Sequence, residues 1–185
     1  LRYAPFYVAI KERVESGDIG DILHLHSTEN VSYHHMAVAF IRGKWNRRDV
    51  NPMLLAKCCH DLDLLCWMKS GIQPKKVASF GGRHFFTSEN MPEDSSEVCI
   101  DCDIERDCEY SALRHHVDNA WWPFYALAGE AGYESGEEIG DDDKIAHVST
   151  SEYGRCVWNC DNDVVDRQSV IVEFEDGCVA THDMV

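Results

Sequence analysis

Lys57, His60 and Asp61, in the run KCCHDLD over residues 57–63, are the first residues whose types and spacing could move a proton. On a helix, Lys57 and His60 are neighbours at i, i+3, and Lys57 and Asp61 at i, i+4. Imidazole titrates closest to neutral pH, which makes His60 the candidate acid/base and Lys57 its electrostatic partner or a substrate anchor. Asp61 and Asp63 are the candidate orienting groups for a substrate. The bland alternative is an amphipathic helix carrying an ordinary surface ion pair.

A second constellation is CIDCDIERDC, residues 99–108, a Cys-x2-Cys-x5-Cys run. Close-set thiolates in a reduced protein suit a tetrahedral zinc, or less well an iron–sulfur cluster, and Cys99, Cys102 and Cys108 lack only a fourth ligand. Cys160 is the expected supplier, because Cys156 sits in a strand-like stretch and can point into a core. Four protein ligands leave no open position, so such a zinc would be structural. The alternative is a set of unrelated thiols in a loop. His24 and His26, two apart on one strand face, are a weaker metal signal. Trp121 and Trp122 could stack on a sugar ring, and Asn162 and Asp163 of CDNDVVDRQ could hold substrate hydroxyls or cap a turn.

Elements that would position these groups follow from periodicity. Pro5 suits a first helical turn and Gly17 a helix C′ position, so a helix is expected over about residues 4–16. Residues 22–31 alternate as a strand. Residues 52–69 carry one apolar stripe at helical spacing and form the expected long helix, whose opposite face holds Lys57 and His60. A strand is expected over 75–86, and Val170, Val172 and Phe174 lead into an Asp176-Gly177 hairpin turn. The acidic stretch 130–144 reads as a solvated loop. The order predicts an α+β fold: an open, mainly antiparallel sheet with helices packed on one face. The expected organisation is a lead-in helix over 1–20 and a domain over 21–185, with an insertion at about 87–150.

Composition narrows the function. The chain has 185 residues and a formal net charge of −16. That charge opposes nucleic acid and anionic membrane surfaces, whose affinity comes from Lys and Arg. No apolar run reaches the ~20 residues of a membrane span, and no signal-peptide core opens the chain. Nine cysteines, an odd number, fit a reduced compartment, so a cytoplasmic protein is expected. There is no G-x-G-x-x-G, no phosphate-loop signature and no G-x-S-x-G. The start at Leu1 and the end inside a strand-like run suggest a piece of a longer protein.

The runs RYAPFY, IKERVESGDIGDI, FIRGKWNR, PMLLAKCCHDLDLL, CIDCDIERDCEYSA and YGRCVWNCDNDVVDRQ resemble the C-terminal domain of the Gfo/Idh/MocA family of NAD(P)-dependent oxidoreductases. The resemblance implies an N-terminal Rossmann domain that binds NAD or NADP and is not in this chain, without which the chain is inactive. It implies a dehydrogenase passing hydride between nicotinamide and a small-molecule substrate such as a sugar, polyol or related hydroxy compound. It also implies a homo-oligomer, commonly a dimer, formed through the outer sheet face. His60 matches the family's histidine on the long helix and Asp63 a following acid, whereas Ala56 stands where the family's paired aspartate falls. By the same resemblance, Arg42 and Trp45 reach the substrate pocket. Ala56 also motivates a rival reading, a non-catalytic, metal-stapled binding or assembly module of the same fold.

Overall fold

A computed structural model of the chain describes residues 1–119, 132–133 and 138–185. Trp121, Trp122 and most of the stretch 130–137 lie outside the described residues. The order is α1 (Pro5–Glu15), β1 (His24–Glu29), α2 (Tyr33–His35) running into a π-helix over Met36–Arg42, α3 (Met53–Ala56), α4 (Cys59–Met68) and β2 (Pro74–Gly82). Short 3-10 turns, a second π-helical turn (Arg114–Asp118) and α5 (Asp141–Thr150) follow, then β3 (Arg167–Phe174) and β4 (Val179–Met184). The chain divides into two compact units, one from residues 1–30, 53–82 and 167–185, the other from 31–52 and 83–166.

The first unit holds the open sheet, in the order β1-β4-β3-β2. β2–β3 and β3–β4 are antiparallel, and β1 joins β4 in parallel, His24 opposite Val179. Alternation along β3 and β4 sends Val170, Val172, Phe174, Ala180 and Met184 inward, as period-two side chains require. Leu65 of α4 seals that face together with Ile22, Leu25, Leu54, Leu62 and Ile72. This is the expected α+β arrangement. One detail differs: the expected helix over 52–69 is two helices. The N–H groups of Lys57 and Cys58 both reach the carbonyl of Met53, at 2.9 and 3.4 Å, so the turn widens and Cys58 leaves helical geometry (φ −91°, ψ 2°).

The second unit is built around a segment that the periodicity did not assign. All seven residues of the π-helix, MAVAFIR, are buried, as expected of a helix apolar on every side. Phe86, Tyr110 and Trp158 pack ring to ring, with centroids 5.3–5.6 Å apart. The strand expected to run to residue 86 ends at Gly82. The N–H groups of His84, Phe85 and Phe86 instead donate to one carboxylate oxygen of Asp166, at 2.9, 2.6 and 3.2 Å, which removes them from any ladder. The acidic loop expected through 144 is helical from Asp141. Asp141, Asp142 and Asp143 occupy the first turn of α5, where unpaired N–H groups favour negative charge.

Candidate functional site

The widened turn between α3 and α4 is where the proposed proton-moving residues gather, all within the first unit. Lys57 ion-pairs with Glu29 at the end of β1, Nζ to Oε1 3.1 Å. Cys58 beside it is fully buried, and burial pushes its thiol up to about 12. Such a thiol stays protonated and is no nucleophile. His60 stands exposed in the first turn of α4, while Asp61 is buried. Asp63 points elsewhere: Arg2 donates to both its oxygens, at 2.7 and 2.5 Å.

Asp61 lies in a small buried polar group that sequence reasoning missed. Burial pushes its carboxyl above the usual range and Glu29 reinforces this, while His182 and His60 oppose it. His182 on β4 is fully buried, with Nδ1 2.8 Å from the hydroxyl of Ser27 on β1 and, among the described residues, no hydrogen-bond partner at Nε2. The available signal was parity, since His182 shares the inward face with Ala180 and Met184. Asp61 and Ser27 also line a cavity of about 260 Å³ with His26, Thr28, Leu64 and Met68. Its mixed lining of hydroxyls, a carboxyl and aliphatic side chains suits a small polar molecule with an apolar skeleton.

The raised Asp61 carboxyl has a testable sign. A folded state that disfavours the carboxylate carries no penalty below the unfolded value of about 3.9, and a growing one as pH rises through the folded value. Asp61→Asn is therefore expected to raise the thermal midpoint at pH 7 and to lose that gain near pH 3. An equal gain at both pH values would contradict the assignment.

The remaining candidate residues belong to the second unit. Arg42 is 1% exposed, and its Nε and Nη2 donate to the carbonyls of Arg155 and Tyr110, each at 2.5 Å. Its fork is committed to the interior, which corrects the expectation that it reaches a substrate. Trp45 is half-buried and packs on Phe40, with centroids 5.6 Å apart. Asp163 accepts from the backbone N–H of Arg48 at 2.7 Å and lies near the guanidinium groups of Arg47 and Arg48. Asn162 is 2% exposed, and among the described residues neither atom of its side-chain amide has a hydrogen-bond partner.

The zinc expectation finds no support. Among the described residues, no group of three or more His, Cys, Asp or Glu side chains is placed to hold a metal ion. Cys99 Sγ accepts from Arg42 Nη2 at 3.3 Å, so a fixed cation sits where a dication would need to bind. The Cys160 thiol donates to the carbonyl of Cys156, and burial pushes it up to about 11, opposite to what a thiolate ligand needs. Burial raises the Cys108 thiol too, and Cys102 completes no ligand set with them. His24 is 3.4 Å from the hydroxyl of Thr181 and His26 3.1 Å from the carboxylate of Asp183.

No helix among the described residues is long and apolar enough to cross a membrane. No curated protein sequence matches the chain. Among solved structures, the apo scyllo-inositol dehydrogenase of Lactobacillus casei is 15% identical, with a TM-score of 0.46 over 98% of this chain and 30% of that one. A probable dehydrogenase from Thermotoga maritima is 16% identical, with a TM-score of 0.47 over 99% and 32%. An NAD-binding protein from Listeria innocua is 15% identical, with a TM-score of 0.47 over 99% and 31%. The chain thus spans about a third of the length of each. The model of the GFO/IDH/MocA C-terminal domain matches residues 7–133. The chain belongs to the GFO/IDH/MocA C-terminal domain family.

Proposed function

We propose that this chain is the substrate-shaping domain of a nicotinamide-dependent oxidoreductase acting on a sugar, polyol or related hydroxy compound. What supports this reading is the closeness in sequence of Lys57, His60 and Asp61 where α3 gives way to α4, in a chain of this family. His60, exposed to a ligand, takes or returns the hydroxyl proton as hydride leaves or arrives on the same carbon. Lys57, held by Glu29, places a positive charge near that turn, and Asp61, on the wall of the neighbouring cavity, is the acid proposed to orient a substrate, whereas Asp63 is engaged by Arg2. The chain contains no G-x-G-x-x-G run, so its residues do not fit the pyrophosphate of NAD or NADP. A nucleotide-binding domain upstream would supply that cradle.

Self-association through the outer sheet face is part of the proposal, since Phe80 of β2 and Ile171 of β3 are 76% and 46% exposed. The rival, a non-catalytic assembly module, draws on Ala56, but its metal staple has no support in the geometry above. The test is a fluorescence titration of NADH and NADPH against the chain alone and against the chain extended upstream through its reading frame. Binding only to the longer form is expected, followed by turnover in a screen of sugars and polyols. Binding to neither overturns the dehydrogenase reading, and tight binding to the short form overturns the division of labour.

A further inference from the structure

Arg42 poses a problem that the proposed catalysis does not address. Its guanidinium is 1% exposed, yet among the described residues no carboxylate lies within ion-pairing distance and Nη1 has no hydrogen-bond partner. A buried cation without a counter-charge costs several kcal/mol, so its surroundings must answer it with dipoles or with a group that can become negative. Two backbone carbonyls supply part of the answer. The remaining contact is a sulfur: Nη2 lies 3.3 Å from Cys99 Sγ, which also accepts from the backbone N–H of Ala112 at 3.4 Å. Negative charge on that sulfur would be met at once by a guanidinium and an amide.

Cys99 is not isolated. Arg42, Cys99, Cys102, Cys108 and Cys156 line one cavity of about 10 Å³, roughly the space of a single water. Within this set, Cys99 and Cys102 bracket a single 3-10 turn over Cys99–Asp101, closed by the N–H of Cys102 donating to the carbonyl of Cys99 at 3.2 Å. A turn closed in this way keeps its first and fourth Cα atoms within about 7 Å. A disulfide needs them about 4.4–6.8 Å apart, so this pair can be bridged without moving the backbone far. Accessibility divides the two roles, since Cys99 is 7% exposed and Cys102 is half-buried. Burial raises the thiols of Cys108 and Cys156, which leaves them poor competitors for the exchange.

We propose that Cys99 and Cys102 form a reversible dithiol–disulfide site that exchanges with small soluble disulfides of the glutathione class. The Cys102 thiolate attacks one sulfur of the small disulfide. The reagent's S–S bond breaks, a mixed disulfide forms on Cys102, and one small thiolate leaves. The Cys99 thiol then gives up its proton and its sulfur, beside the Arg42 guanidinium, attacks the Cys102 sulfur. The Cys99–Cys102 bond forms and the second small thiolate leaves. The two protons lost from the protein thiols end on the two small thiols, and two electrons pass from the protein to the reagent. Forming the bridge draws the Cys99 sulfur toward Cys102 and so changes its contacts with Arg42 Nη2 and the N–H of Ala112.

The site is tested by equilibrating the full chain in buffers of graded reduced-to-oxidised glutathione, quenching with acid, alkylating free thiols with a maleimide and mapping tryptic peptides by mass. Cleavage after Arg106 separates Cys108 from the Cys99–Cys102 pair. In oxidising buffer, the peptide carrying both residues is expected to escape alkylation and to be lighter by two hydrogens, and excess reduced glutathione restores it. Cys99→Ser should stop at a glutathione adduct on Cys102, and Cys102→Ser should give no disulfide at Cys99. If Cys99→Ser fails to fold, the wild-type peptide map decides alone. Alkylation of both cysteines at every poise, or a bridge from Cys99 to Cys108 or Cys156, overturns the proposal.

Discussion

His60→Ala in the proposed full-length oxidoreductase is expected to lower kcat by about 10²-fold or more, the usual cost of losing a group that moves a proton in the transition state. His60 stands exposed at the start of α4 with no structural duty among the described contacts, so its removal should leave the fold intact. The loss should therefore fall on kcat, with KM and the thermal midpoint close to wild type. A histidine that only helped to bind substrate would give the reverse, a raised KM with kcat unchanged. Lys57→Met separates the partner from the acid/base. It leaves Glu29 without its cation and, with Lys57 as a substrate anchor, should raise KM more than it lowers kcat. An unchanged kcat for His60→Ala would remove His60 from the mechanism and bring the assembly-module reading forward.

Gly154→Ala is expected to destabilise the second unit by about 3 kcal/mol, in the range of overpacking a filled interior. A Cβ at Gly154 would lie 2.0 Å from the carbonyl oxygen of Val148 and 3.0 Å from its carbon. Both are backbone atoms of α5, so no rotamer change relieves the clash. Val148 and Tyr153 are each 1% exposed, which leaves little room for the turn to retreat. Gly140→Ala is the control. Its nearest neighbour would be 3.6 Å away, and alanine in place of a glycine N-cap costs about 1 kcal/mol or less. Denaturant midpoints measure both variants. A Gly154→Ala midpoint equal to wild type would mean that the turn adjusts freely.

Local signals were legible wherever one residue type has few alternatives. Pro5 marks the start of α1, and Asp176-Gly177 marks the β3–β4 turn; both lie where the sequence places them, because they act through backbone conformation alone. The alternation of β3 also survives, since period-two burial needs only one covered face. The continuous helix over 52–69 did not. Apolar spacing is blind to a turn in which the N–H groups of Lys57 and Cys58 share the carbonyl of Met53. The strand to residue 86 failed for a related reason. Asp166, 80 or more residues away, takes the N–H groups of His84, Phe85 and Phe86, and no local pattern announces so distant an acceptor.

The site divides along the same line. The sequence by itself determined the family resemblance, the sheet-forming segments and the candidacy of Lys57 and His60, all of which rest on residue type and short spacing. Only the tertiary structure decided that Lys57 answers Glu29 and that His182 and Ser27 sit in the same buried polar group as Asp61. It also decided that Arg42 is an interior cation beside Cys99 rather than a fork offered to substrate. The physical reason is that burial and charge pairing depend on which distant segments meet. A guanidinium or carboxyl reads the same in sequence whether it faces water or is closed inside, and its chemistry differs entirely between the two.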